Sequence, residues 1–147
     1  MAARVGRMRA EEILREPLKL EREIVTLYAE IEHIRMGLTP GGVDYASDRV
    51  QTSGIYDKYP AAMDRILAKE KKIGELNARR QWLINVRIPQ LMACIEDELA
   101  ALIIRNYYFT DATMWEVAEM MHVSYATCYR YRYMGERDMQ KVLDAES

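Results

Sequence analysis

The sequence has few of the residues that end or bend helices. Of its 147 residues, seven are glycine and four are proline, which is a low content for a protein built from many turns or short strands. Leu, Met, Ala, Glu, Lys and Arg are abundant instead, and these residues lose little conformational freedom in a helix. A chain of this length forms one compact domain or two small helical modules. We therefore predict an all-α protein.

Cysteine and histidine are scarce, with two residues of each type. Cys94 and Cys128 lie far apart and have no histidine nearby at metal-ligand spacing, so the sequence predicts neither a zinc site nor a disulfide framework. We expect both cysteines to pack as small apolar residues. His33 and His122 accompany no Ser-His-Asp arrangement or Gly-rich phosphate loop. The pattern predicts no enzyme, no cofactor and no bound metal.

Long apolar runs and an excess of positive charge are also missing. No segment approaches the roughly 18 apolar residues of a membrane-spanning helix, and the N-terminus lacks the apolar core of a signal peptide. We therefore expect a cytoplasmic protein that contacts no membrane. The formal net charge is −2, so any binding of nucleic acid must come from a local cluster of Arg and Lys.

The first ten residues are basic. Arg4, Arg7 and Arg9 precede the first acidic residue, Glu11. Such an arm could reach a phosphate, but chain termini are usually mobile unless other contacts hold them. We predict a flexible basic arm over residues 1–10.

Residues 11–88 carry two apolar stripes with helical spacing. In the first stripe, Leu and Ile recur at alternating steps of four and three, which is the pattern of a short coiled-coil seam. This seam consists of Leu20, Ile24, Leu27, Ile31, Ile34 and Leu38. The second stripe consists of Ile66, Ile73, Leu76 and Leu83. Because neither stripe is stable in water alone, we predict a long antiparallel helical hairpin.

The connection within this hairpin is predicted at residues 39–57. It starts with Thr-Pro-Gly-Gly and continues without apolar periodicity, which is typical of a loop. The second helix is expected to begin near Pro60, because the fixed backbone angle of proline suits a first helical turn. A homodimer formed through the hairpin is the expected oligomer.

Residues 89–147 are predicted to form a separate C-terminal domain. Pro89 falls within a helical pattern, so we expect a kink or a short break there. Asp97 is placed to cap a further helix that reaches Tyr108.

Within this domain, the segment from Thr113 to Cys128 has the spacing of a helix-turn-helix. Thr113 is followed three residues later by Glu116, a pair that starts helices. His122 takes the place of the usual glycine at the sharp turn and tolerates a left-handed backbone better than most residues. Ser124 would cap the second helix. The predicted core of the motif is Trp115, Val117, Ala118, Val123, Cys128 and Tyr131.

The second helix of this motif, from Ser124 to Tyr133, is predicted to enter the major groove of DNA. Its outward positions hold Tyr and Arg, which bind base edges and phosphates, and one Ala that permits close approach. These positions are Tyr125, Ala126, Tyr129, Arg130 and Tyr133. No acidic residue occurs between Glu119 and Glu136, so no carboxylate of that segment would face the phosphates.

Four segments carry a resemblance to known proteins. Residues 102–108, 113–125, 129–131 and 139–143 resemble the promoter-reading C-terminal region (region 4) of sigma-70 factors. The chain resembles more closely the small phage and prophage regulators of the RinA and ArpU type. That resemblance implies control of late phage genes, through DNA alone or together with RNA polymerase. It implies base contacts from Tyr125, Ala126, Thr127, Tyr129 and Arg130, and phosphate contacts from Arg132 and Arg137.

Two other functions fit the same pattern. A small terminase subunit of a DNA-packaging machine also joins a helix-turn-helix to an oligomerising hairpin, and it would form rings. A helical adaptor would capture a partner protein through the hairpin and would not bind DNA. The first hypothesis is a sequence-specific regulator that binds double-stranded DNA.

Overall fold

The computed structural model describes residues 9–38 and 48–146, with the backbone alone for residues 48–57. All regular secondary structure in these residues is helical, so the predicted all-α class is confirmed. One π-helical turn, Leu83–Arg87, follows α2 directly. The helices are α1 (Ala10–Leu38), α2 (Asp48–Trp82), α3 (Ile88–Met92), α4 (Glu98–Phe109), α5 (Met114–Met120) and α6 (Tyr125–Glu146).

The chain divides into two compact units. The first, here called the two-helix unit, is Leu20–Arg79. The second, here called the C-terminal unit, combines Met1–Lys19 with Arg80–Ser147. Its described residues are 9–19 and 80–146.

The two-helix unit has a core of aliphatic side chains from both helices. The predicted seam of α1 supplies Ile24, Leu27 and Ile31, and α2 supplies Ile66 and Ile73. Ion pairs that link α1 to α2 flank this core. They are Glu23–Lys72 at 3.6 Å, Glu30–Lys69 at 2.7 Å and Arg35–Glu70 at 3.3 Å. Because such exposed pairs contribute little, the aliphatic core supplies most of the stability of this unit.

The predicted loop at residues 39–57 is wrong in its second part. Helix α2 begins at Asp48, and Pro60 lies inside it, not in its first turn. Residues 48–59 contain one glycine, Gly54, and no proline. They therefore carry no strong helix-ending signal. Proline is favoured in the first turn of a helix, but this preference does not prevent the helix from starting earlier. Residues 39–47 lie outside the described part of the chain.

The predicted arm at residues 1–10 is also too long. Residues 1–8 lie outside the described part, but Ala10 is the first residue of α1 and is 2% exposed. Its backbone N–H donates a hydrogen bond of 2.8 Å to the side-chain oxygen of Gln140 on α6. This contact holds the start of α1 in place.

The C-terminal unit is built around α4, α5 and α6. One cluster of its core consists of Ile103, Met114, Val117, Ala118 and Cys128. Three helices thus contribute to one apolar cluster.

Two sequence features position α4 in this unit. As predicted, Asp97 caps the helix, because its Oδ1 accepts a 2.9 Å hydrogen bond from the N–H of Ala100. Gly135 of α6 is buried, and a Cβ there would overlap the Cδ1 of Ile104. The absence of a side chain at Gly135 thus lets α6 approach α4 closely.

The irregularity expected at Pro89 takes the form of the π-helical turn before it. Pro89 is the second residue of α3, and the backbone remains helical from α2 through the π-helical turn into α3. The chain leaves the helical conformation after Met92 and re-enters it at Glu98.

The two cysteines lie in different surroundings. Cys128 is fully buried, as expected, and burial raises the pKa of its thiol. The expectation for Cys94 is wrong, since its side chain is exposed. Cys94 follows the end of α3, where its thiol lies 3.4 Å from the backbone oxygen of Gln90. Only Cys94 is therefore accessible to a thiol reagent in the folded chain.

We predict that one thiol per chain reacts quickly with a disulfide reagent such as DTNB. Cys128 reacts only after unfolding, because it is buried and its raised pKa lowers the thiolate fraction. Absorbance of the released thiolate, with and without denaturant, measures both steps. The variant Cys94→Ser should lose the fast step. If two thiols of the native protein reacted quickly, the burial of Cys128 would be contradicted.

Candidate nucleic-acid interface

The chain turns sharply between α5 and α6. His122 has a φ of 57°, so the left-handed backbone predicted there is confirmed. The N–H of His122 donates to the carbonyl of Glu119 at 3.2 Å, and that of Val123 donates to Ala118 at 3.0 Å. These two bonds form a Schellman motif, which normally has glycine in the left-handed position.

Both helices beside this turn begin with the predicted caps. The N–H of Glu116 donates to Oγ1 of Thr113 at 3.2 Å, and the N–H of Thr127 donates to Oγ of Ser124 at 3.1 Å. Each bond satisfies one of the free donors at a helix start. The caps therefore fix where α5 and α6 begin.

Five of the six residues predicted for the core of this motif pack inward. Val117 and Cys128 are fully buried, and Ala118 is 3% exposed. Val123 and Tyr131 are partly buried against the same cluster.

Trp115 was expected in that core, and this expectation is wrong. Its side chain is 68% exposed. Met114, Val117 and Ala118 face inward, and at about 100° per residue they span an arc of about 100° around the helix. Trp115 lies about 110° from the middle of that arc and therefore points outward. The apolar residues at positions 114, 117 and 118 were the sequence signal for this orientation.

The outward face of α6 carries four residues at steps of four, three and four: Ala126, Arg130, Tyr133 and Arg137. All four are exposed. Tyr129, on the same side, is 51% exposed, and Tyr133 is 60% exposed. This exposed set, here called the α6 face, contains two cations and no acid. Anions are the ligands that such a face attracts.

Two predicted contact residues use their hydroxyl groups inside the helix. The hydroxyl of Ser124 donates to Oγ1 of Thr127 at 2.8 Å and also accepts the capping bond. Ser124 and Thr127 therefore close the first turn of α6. Their hydrogen-bonding groups are less available to a ligand than those of the α6 face.

Arg132, expected to contact phosphate, lies in an internal network instead. Its side chain is 13% exposed and its Nε lies 2.9 Å from Oε1 of Glu136. The guanidinium also lies 4.5 Å from the ring centre of Tyr107. The Tyr108 hydroxyl donates to Glu136 as well. Burial, followed by this hydrogen bond, raises the pKa of Tyr108 above its ordinary value. Arg132 thus joins α6 to α4.

Helix α1 extends this network within the C-terminal unit. Arg15 Nη2 donates to the Tyr107 hydroxyl at 3.2 Å, and Arg15 also pairs with Glu11 at 3.0 Å. Sequence reasoning missed Arg15, Tyr107 and Glu136. Arg15 and Tyr107 lie too far apart in the chain for any periodicity to connect them.

No known protein family, curated protein or solved structure matches this chain. In residues 9–38 and 48–146, no helix is long and apolar enough to cross a membrane. The same described ranges hold no group of three or more His, Cys, Asp or Glu side chains arranged to bind a metal ion. The geometry of α5 and α6 is therefore the basis for a functional assignment.

We predict that His122→Gly stabilises the protein by about 0.5–1 kcal/mol. Glycine removes the steric cost of the left-handed backbone, and its greater freedom in the unfolded chain offsets part of that gain. His122→Val should destabilise the fold instead, because β-branched residues rarely adopt this conformation. Chemical denaturation of the three proteins gives the free energies. Stabilisation by valine would contradict the assigned turn.

We further predict that Arg132→Ala lowers the free energy of unfolding by about 2–3 kcal/mol. The substitution leaves the half-buried carboxylate of Glu136 without its ion partner. Arg105→Ala, at an exposed position of α4, is the matched control and should change stability by less than about 0.5 kcal/mol. Denaturant titrations followed by circular dichroism compare the two variants. Equal changes in the free energy of unfolding of the two variants would contradict a stabilising role for this network.

Proposed function

We propose that this protein is a sequence-specific regulator of transcription that binds double-stranded DNA. In this proposal α5, the turn at His122 and α6 form a helix-turn-helix, and α6 is the recognition helix. The observation that carries the proposal is the capped, left-handed turn, which presents the α6 face to solvent. A helix with such a face fits the major groove, where its first turns reach the bases.

The distribution of charge supports DNA as the ligand. The whole chain has a net charge of −2, but Arg130 and Arg137 both project from the α6 face. Two acids of α6 flank Arg137 in the sequence. Glu136 is 17% exposed and is paired with Arg132, so its negative charge is neutralised locally. The Oδ2 of Asp138 accepts a hydrogen bond from the N–H of Glu96 at 3.4 Å. The two exposed arginines remain to bind guanine edges and phosphates.

The two-helix unit is proposed to hold two copies of the chain together. Val25 is 61% exposed, Tyr28 is 56% exposed and Met36 is 65% exposed, all on α1. Apolar side chains at these positions would be buried by a second copy. A symmetric dimer would present two recognition helices to half-sites about one helical turn of DNA apart.

The direct test measures binding of the purified protein to DNA that flanks its own coding region. A scrambled fragment of the same length and composition is the comparison, and both are titrated at several salt concentrations. Light scattering records the mass of the protein in parallel. Preferential binding that persists at moderate salt supports a regulator. A dimer agrees with transcription control, whereas a ring agrees with DNA packaging. Equal binding to both fragments would contradict sequence specificity.

We predict that Arg130→Ala weakens binding to the preferred DNA by about 1–3 kcal/mol and weakens binding to scrambled DNA much less. A base contact discriminates between sequences, whereas a phosphate contact does not. Arg22→Ala, which removes the same charge from an exposed position of the two-helix unit, is the control and should bind like the parent protein. Fluorescence anisotropy of labelled DNA gives the affinities. Equal losses on both DNAs would contradict base reading by Arg130.

A further inference from the structure

Three aromatic rings form a continuous exposed surface across α5 and the start of α6. Trp115 stacks on Tyr125, with ring centres 4.2 Å apart and planes inclined by 23°. Tyr125 is followed by Tyr129, whose ring centre lies 6.4 Å away. We call Trp115, Tyr125 and Tyr129 the aromatic stripe.

All three rings of the aromatic stripe are exposed to solvent over a large part of their surface. Trp115 is 68% exposed, Tyr125 is 37% exposed and Tyr129 is 51% exposed. Isolated exposed aromatic residues are ordinary, but a contiguous apolar patch is typical of a surface that binds a ligand. Stacking leaves one face of the Trp115 indole free to contact another molecule.

The position of the stripe relates it to the α6 face. Tyr125 is the first residue of α6, and Arg130 and Arg137 lie farther along the same helix. One side of α6 therefore begins with an apolar surface and continues with cations. The hydroxyls of Ser124 and Thr127 bond to each other at this end, so the rings are the main groups presented there.

We propose that the aromatic stripe binds the methyl groups of thymines in the major groove. The inference rests on the proposed DNA-binding function and specifies the base chemistry that α6 reads. The thymine methyl is the apolar group of the major groove, and the first turns of a recognition helix lie closest to it. The stripe thereby selects sites with thymine opposite the start of α6.

Acidic residues next to Trp115 favour a methyl group over a phosphate as its ligand. Glu116 follows Trp115 directly, and Glu119 lies one helical turn later and is exposed. Both carboxylates would repel a phosphate close to the indole. A methyl group carries no charge, so it is the group in the groove that the indole contacts without direct repulsion from these carboxylates.

The test compares the same DNA with and without thymine methyl groups. The fragment that flanks the coding region is amplified with dTTP or with dUTP, which removes the methyl groups and retains base pairing. Binding is measured by anisotropy for the parent protein, for Tyr125→Ala and for Tyr59→Ala. Tyr59 is 52% exposed on α2 in the two-helix unit, so Tyr59→Ala is the matched control. Thermal melting verifies that each variant is folded.

We expect the parent protein and Tyr59→Ala to bind the uracil fragment about fourfold more weakly for each methyl group that the stripe contacts. Tyr125→Ala should bind the thymine fragment more weakly and should lose most of the difference between the two fragments. A change in DNA shape would weaken binding of both proteins equally. Loss of the thymine–uracil difference in Tyr125→Ala therefore identifies a contact between Tyr125 and the methyl group.

The other outcomes overturn the proposal in distinguishable ways. If the parent protein binds both fragments equally, or if Tyr125→Ala keeps the full difference, the stripe does not read thymine although the protein binds DNA. A stripe of that kind would face a protein partner instead. If no fragment binds at any salt concentration, the DNA-binding function itself fails, and this inference fails with it.

Discussion

The left-handed backbone at His122 determines how the C-terminal unit is assembled. It ends α5 and allows α6 to begin within a few residues, at some steric cost because the residue is not glycine. The two backbone bonds of the turn and the caps at Thr113 and Ser124 set the helical phases of α5 and α6. Those phases bury Val117 and Cys128. They also leave Trp115 and the α6 face exposed.

A polar network then holds α6 against α4. Arg132 and Glu136 form an ion pair within α6. Tyr108 of α4 donates a hydrogen bond to Glu136, and the Arg132 guanidinium lies against the ring of Tyr107. At Gly135 the side chain of Ile104 packs directly against the backbone of α6. The network has a second consequence for the surface. Glu136 is neutralised inside it, so the nearby carboxylate does not oppose the charges of Arg130 and Arg137.

The sequence predicted local features well and long-range features poorly. Asp97, Thr113, Ser124 and His122 act within a few residues of their own position, and the structure places them as caps and turn as expected. The predicted start of α2 is wrong because residues 48–59 contain no strong helix breaker, so the helix extends beyond Pro60 toward the N-terminus. The prediction for Trp115 is wrong because burial in a helix depends on helical phase, which residue type alone does not give. Arg132 was expected to be free because Glu136, Tyr107 and Tyr108 become its neighbours only in the folded chain.

The central claim is that the α6 face contacts DNA, and photochemical crosslinking tests it most directly. A photoreactive azidophenylalanine replaces Tyr133, which is 60% exposed on the α6 face, or Tyr59, which is 52% exposed in the two-helix unit. Each protein is irradiated with the DNA that flanks the coding region. The proposal predicts a protein–DNA crosslink from position 133 and none from position 59. A crosslink from position 59 with none from position 133 would contradict it, because DNA would then contact the two-helix unit and not α6.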